Sequence, residues 1–157
     1  MRESLHKKRV DIVIVALNSP IKIGVYFNSE LIKSIESNEK VSEYLPKIYL
    51  QLIEDYDIEK VIFAKGPGSF MAIKLVYIFL KTLNIAKNIS LKALDGFAFS
   101  KNSPIKAVGK LYFVKENGKI SLQKIEEEVD TIFYLPSSLK DLDFSSDIEP
   151  LYILPAV

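Results

Sequence analysis

The sequence predicts an α/β domain in which a β-meander leads into two helices that bracket a buried strand. Three observations predict it. Val10 to Leu17, Ile21 to Phe27 and Leu31 to Ile35 are β-rich runs separated only by short turns. Val41 to Tyr56 then changes period, with Val41, Leu45, Ile48, Leu52 and Tyr56 stepping by three or four residues. Finally, Val61 to Ala64 is a short continuous apolar run broken by Gly66-Pro67-Gly68 and followed by a second helical pattern.

Each element has a local reason. Asn18-Ser19-Pro20 and Asn28-Ser29 carry turn residues, which closes the meander. Ser37-Asn38-Glu39-Lys40 is a polar loop ahead of the first helix. Tyr44, Tyr49 and Ile53 widen the apolar face of that helix, and Pro46 is expected in its first turn, where a missing N–H matters little. Asp57-Ile58-Glu59 then leads into the strand. Ser69 can cap the second helix, Ser69 to Asn84, whose polar interruptions before Asn84 are only Lys74, Lys81 and Thr82. A helix apolar on nearly every side has to be covered on nearly every side, by the sheet, the first helix or another chain. Ile89 to Leu94 is a further strand, with a short segment around Asp95 to Ser100. Ile105 to Val108 and Leu111 to Val114 are strand-like, Asn117-Gly118 is a hairpin turn, and Ile120 to Ile125 returns from it. Thr131 to Leu135 is expected as a strand, 136–150 as polar loop, and Leu151 to Pro155 as an apolar tail.

Composition narrows the function classes. Lysine and arginine total 21 against 20 aspartates and glutamates, so no general polyanion footprint exists. Zero cysteines excludes disulfides and thiolate chemistry and fits a reducing cytoplasm. The single histidine, His6, lies in a charged N-terminal segment and is read as a solvated residue, which leaves the serines without a base. No apolar run approaches the ~20 residues of a membrane span, and no small-residue cleavage site follows the basic N-terminus. Glu126-Glu127-Glu128 and Glu54-Asp55 read as solvated charge runs, and no calcium-loop spacing is present. On chemistry alone the chain lacks the parts of an enzyme, and no metal site is expected.

The turn Gly66-Pro67-Gly68-Ser69 leaves two uses open. A strand, glycine turn and capped helix can present N–H groups to an anion, which would make Gly66, Gly68 and Ser69 a phosphate or nucleotide cradle together with Asn18-Ser19. The same turn can simply aim an apolar helix. It is not a phosphate-binding loop of the G-x-x-x-x-G-K-[S/T] type, and Met71 stands where a dinucleotide fingerprint needs its third glycine.

Three features in this order resemble the TsaB (YeaZ) family of bacterial proteins: the meander, Ser42-Glu43-Tyr44-Leu45-Pro46, and Lys65-Gly66-Pro67-Gly68-Ser69-Phe70. The closing 150–157 stretch is similar to that family's tail, and the likeness covers the first hundred residues best. The resemblance implies an actin/Hsp70/sugar-kinase (ribonuclease H-like) fold, a mixed sheet flanked by helices, with a truncated second lobe. It divides the chain into a tail, 1–9, an N-terminal lobe, 10–104, and a reduced C-terminal lobe, 105–157. It further implies a non-catalytic subunit without a cofactor. Such a subunit binds TsaD through a helix bundle and, with TsaE, supports threonylcarbamoyl transfer to the adenosine beside the anticodon of tRNA. Contact with tRNA would be indirect, and the chain alone could pair with itself. Carried onto this sequence, the partner interface is Leu45, Ile48, Tyr49 and Leu52 of the first helix and Phe70, Ile73, Lys74 and Tyr77 of the second. The sequence departs from the family at Ala16-Leu17-Asn18-Ser19, where Leu17 replaces an acid, at Met71-Ala72-Ile73-Lys74, and at Val108-Gly109-Lys110. Each departure argues against nucleotide chemistry in this chain.

Overall fold

The structure is a computed structural model and describes residues 7–152. His6 and the tail beyond Tyr152 lie outside the described residues. Five strands form one mixed sheet: β1 Lys8–Val15, β2 Ile21–Phe27, β3 Glu30–Ser37, β4 Tyr56–Ala64 and β5 Ser90–Leu94, in spatial order β3-β2-β1-β4-β5. The meander β1-β2-β3 is antiparallel, whereas β4 runs parallel to β1 and β5 parallel to β4. Helices α1 Val41–Asp55 and α2 Phe70–Lys87 supply the crossovers that parallel pairing requires. A second, three-stranded antiparallel sheet follows, β6 Ile105–Val108, β7 Leu111–Glu116 and β8 Lys119–Lys124.

The continuous apolar runs of β1 and β4 have a simple origin: both faces of the sheet are buried. Val10, Ile12 and Ile14 point to the same side as Val61 and Phe63, where Tyr44, Leu45, Ile48 and Leu52 of α1 and Val76, Leu80 and Leu83 of α2 pack on them. Val13, Val15 and Ile62 point to the other side, against Phe97, Phe99, Ile105, Phe113, Phe133 and Leu139. The β2–β3 and β7–β8 hairpins adopt the backbone that their turn residues favour. Asn28 and Ser29 have φ of 51° and 70°, and Asn117 and Gly118 have 51° and 79°, the paired positive values of a two-residue hairpin turn.

Several boundaries differ from the sequence reading. Strand β1 reaches back to Lys8 and β4 back to Tyr56, so α1 stops at Asp55. Tyr56 to Ile58 pairs with Lys8–Val10, and Glu59 is the extra residue at the register shift between Val10 and Asp11. Pro46 sits inside α1 rather than in its first turn. There it faces solvent, and water can reach the Ser42 carbonyl that loses a helical partner. Helix α2 runs three residues beyond Asn84 to a left-handed cap at Asn88, φ 58°. The expected strand Thr131 to Leu135 forms no ladder. A single backbone bond, from the Tyr134 N–H to the Phe99 carbonyl at 2.7 Å, and side chains hold it instead: Lys22 Nζ donates to the Phe133 carbonyl at 2.7 Å, and Tyr26 Oη donates to the carbonyl of the adjoining Pro136 at 2.7 Å. Its apolar run therefore reflects Phe133 and Leu135 packing on the core, and not a sheet.

Asp11 lies at the bulge between β1 and β4, with its carboxylate 3.8 Å from Lys60 Nζ. Burial raises its pKa above the ordinary 3.8, Lys60 pulls it down less strongly, and Glu59 adds to the rise. A raised carboxyl pKa means that the folded state holds the proton more tightly than the unfolded chain. The stabilisation is therefore present at acid pH and is lost as pH rises through the folded value. Replacing Lys60 with Met should raise the Asp11 midpoint further; a side-chain carboxyl NMR titration in which the midpoint falls would contradict this assignment. Leu80, fully buried where α2 meets the sheet, gives the packing test. Leu80→Ala should destabilise the fold by about 2–5 kcal/mol in a denaturant titration.

Candidate functional site

The glycine turn between β4 and α2 is built by close packing. Gly66 has φ +117°, and a Cβ there would lie 3.0 Å from Ile73 Cδ1 and 3.0 Å from the Leu151 carbonyl oxygen. Its own carbonyl accepts from the Gly96 N–H at 2.8 Å, and the Lys65 carbonyl accepts from the Leu151 N–H at 2.9 Å. The turn is thereby tied both to the 3₁₀ turn Gly96–Ala98 and to the C-terminal segment. Leu17 fills the space beside it. A Cβ on Gly68 would meet the Leu17 Cβ at 3.2 Å, and one on Gly96 would meet Leu17 Cδ1 at 2.4 Å. Leu17 is thus a buried packing residue against both glycines. Ser69 caps α2, its Oγ accepting from the Ala72 N–H at 3.5 Å.

Above the turn lies a cleft of about 330 Å³ lined by Leu17, Gly68, Phe70, Ile73, Val108 and Tyr152, among others. Phe70 stacks on Tyr152 with ring centroids 4.5 Å apart. The walls are mixed, with Ser69 and Lys106 among mainly apolar side chains, and Leu17 packs against the glycine beside the start of α2. A larger, polar cleft of about 580 Å³ opens between β5 and the β7–β8 hairpin, and the sequence reading did not single it out. Two of its charged residues, Asp95 and Lys115, pair with each other. Asp95 accepts from Lys115 Nζ at 2.5 Å and from the Phe97 N–H at 3.0 Å, which ties the second sheet to the end of β5. Among the described residues no group of three or more His, Cys, Asp or Glu side chains could hold a metal ion. No helix there is long and apolar enough to cross a membrane, which says nothing of a β-barrel.

The eight residues assigned to a partner interface separate into two sets. Leu45, Ile48 and Leu52 are buried against the helix side of the sheet, and Ile73 is buried beside Leu17 on the other side. These four are core residues in this chain, so a charge at Ile48 or Ile73 would strike the fold before any partner. Tyr49 is half-buried and meets Phe79 edge-on at 6.2 Å. Tyr77 donates to Glu149 Oε2 at 3.1 Å, Lys74 is exposed, and Phe70 is 50% exposed.

The exposed apolar surface is made by other residues. Met71, Leu75, Ile78, Thr82 and Ile85 step by four and three along α2, on the side opposite Ile73, Val76, Leu80 and Leu83. Met71 is 61% exposed, Ile78 51% and Ile85 78%. Leu75, Ile78, Phe79 and Thr82 line a groove of about 240 Å³ with Val41, Ser42, Leu45 and Pro46 of α1. This second stripe was legible in the sequence as a 3-4 spacing on an all-apolar helix. The spacing could not say which of the two stripes faces the sheet.

Gly66→Ala is the direct test of the turn. Its strained φ and its close neighbours predict a loss of about 1–3 kcal/mol, read from the midpoint of urea unfolding. A change below about 0.5 kcal/mol would mean that the turn relaxes freely.

No protein-family model matches the sequence, and no curated protein matches it. Solved structures do. YeaZ from Pseudomonas aeruginosa aligns at a TM-score of 0.59 with 12% identity, over 74% of this chain and 65% of that one. An uncharacterized protein with similarity to peptidase YeaZ from Pseudomonas aeruginosa aligns at 0.58 with 10% identity, over 86% of this chain and 73% of that one. The chain thus spans 65% of the length of the first of these. At such identities the likeness is one of fold, and the five-stranded mixed sheet, two helices and second sheet of this chain are arranged as a YeaZ-type fold.

Proposed function

We propose that this chain is a non-catalytic, TsaB-like scaffold, with a truncated variant of the actin/Hsp70/sugar-kinase fold, that docks a TsaD-type enzyme through α1 and α2. In that role it supports threonylcarbamoyl transfer to the adenosine next to the anticodon of tRNA in the cytoplasm. TsaE would join the larger complex, tRNA contact would be indirect, and the chain would carry no cofactor of its own. One observation carries the reading: a second apolar stripe on α2, from Met71 to Ile85, left uncovered by the chain itself in a YeaZ-type fold. A stable interface needs more than ~1,000 Å² of buried surface. The stripe and the α1–α2 groove together offer a helical, bundle-forming surface of the right character. When the enzyme is missing, the same stripe would pair with a second copy of this chain. The packing of Leu17 against the glycine turn favours this reading over a phosphate cradle.

Light-scattering mass and a binding titration with TsaD from the same cell test it. The parent chain should form a one-to-one complex. Ile78→Asp and Met71→Asp should weaken it at least about 30-fold, the ~2 kcal/mol of an interface hot spot, with thermal melts close to the parent's. Ile73→Asp should instead lower the melting temperature. Wild-type affinity in both exposed-stripe variants would place the partner surface elsewhere, and no complex with the parent chain would remove the scaffold reading.

A further inference from the structure

At the outer edge of β5 one reciprocal backbone pair seats the chain: the Ala93 N–H donates to the Ser145 carbonyl at 2.8 Å, and the Ser145 N–H to the Ala93 carbonyl at 2.9 Å. From there the chain passes to α2. Lys65 Nζ donates to the Asp147 carbonyl at 2.9 Å, and Ile148 packs on the helix-side core. Glu149 Oε2 accepts from Tyr77 Oη at 3.1 Å. The Leu151 N–H donates to the Lys65 carbonyl, and the Tyr152 ring lies 4.5 Å from that of Phe70. Residues 147–152 thus form a strap that meets α2 at its first residue and again two turns later. Phe70 and Tyr77 share one side of the helix, roughly 110° round from the centre of the Met71-to-Ile85 stripe. Phe79, which meets Tyr49 of α1, lies roughly 80° from the stripe on the other side. The stripe therefore runs between α1 and the strap.

The strap grips the part of α2 that holds itself least well. The first turn, Phe70 to Ala72, has no fully buried residue, and Ile73 is the first. The Ser69 cap bond is long, 3.5 Å, and no acidic residue stands in the first turn to meet the helix dipole. A helix end of this kind frays unless something outside the helix holds it. Met71, the first residue of the stripe, sits in that turn, and a partner that had to order it on docking would lose affinity. We propose that the strap is a positioning latch: it keeps the first two turns of α2 formed in the free chain and so presents Met71, Leu75 and Ile78 ready for the partner. The proposal rests on the scaffold reading above. In it Phe70, Tyr77, Glu149 and Tyr152 act through the helix and not by touching the partner.

The test uses the full chain with Glu149→Ala and Tyr152→Ala combined. In hydrogen exchange on the free chain, the amides of Ile73 to Tyr77 should exchange at least about ten-fold faster than in the parent, while the Ile62 amide of β4 keeps its rate. In the titration with the partner enzyme, affinity should fall at least about five-fold. Tyr152→Phe, which keeps the stacked ring, should match the parent in both measurements. Unchanged exchange overturns the latch, and a fall in affinity would then mean that Glu149 and Tyr152 touch the partner directly. Faster exchange at the parent's affinity overturns it as well, since the strap would then serve stability alone. If the double variant does not fold, Tyr77→Phe removes only the hydroxyl that reaches Glu149 and should still speed the same amides at least about three-fold. No change in that variant overturns the proposal. A parent chain that forms no complex removes the scaffold reading and the latch with it, an outcome that the parent alone reveals.

Discussion

The structure depends on one constraint: β1 and β4 carry apolar side chains on both faces, so the sheet they form has to be covered twice. Val10, Ile12 and Ile14 need one layer, and Val13, Val15 and Ile62 need another. The two crossover helices provide the first. The 3₁₀ turn, the second sheet and the irregular segment around Phe133 and Leu139 provide the second. Residues 137–149 then close what remains open at the sheet's margins, with the Leu31 N–H donating to the Ser137 carbonyl at the β3 side and the Ala93–Ser145 pair at the β5 side. A buried two-faced sheet with unpaired edges would otherwise template association.

The glycine turn joins these layers. Gly66, Gly68 and Gly96 let three backbone segments and Leu17 meet without side chains between them. Close approach of this kind suits a phosphate when polar groups line it. Here a leucine occupies the approach, and the turn serves as a packing joint between β4, α2 and the segment ending at Leu151. The same residues can carry either chemistry, and the neighbour decides which.

Helix α2 shows how far apolar content exceeds what the fold uses. Val76, Leu80 and Leu83 pack on the sheet, Ile73 packs beside Leu17, and Met71, Ile78 and Ile85 remain exposed. Exposed apolar residues set singly on a surface are ordinary, but a spaced row beside a groove on the neighbouring helix is the form that helix-to-helix association takes.

Much of the fold was legible in the sequence, because local signals and tertiary demands agree there. The meander, both helices, the buried strand before Gly66-Pro67-Gly68 and the Asn117-Gly118 hairpin all follow from periodicity and turn chemistry. The 131–135 stretch reads as a strand because Ile132 to Leu135 is an apolar, β-rich run, yet Phe133 and Leu135 pack on the core from a segment without ladder partners. The site was less legible. An all-apolar helix has no polar face to mark its direction, so Ile73 was assigned to a surface it does not reach, and Met71, Leu75 and Ile78 were passed over. What the sequence by itself determined is the order and type of the elements and the excess of apolar surface on α2. Which stripe of α2 meets the sheet, that Leu17 fills the glycine turn, and that residues 143–149 lie on the β5 edge were decided only by tertiary structure. Each depends on which distant segment arrives alongside, and no local spacing encodes that.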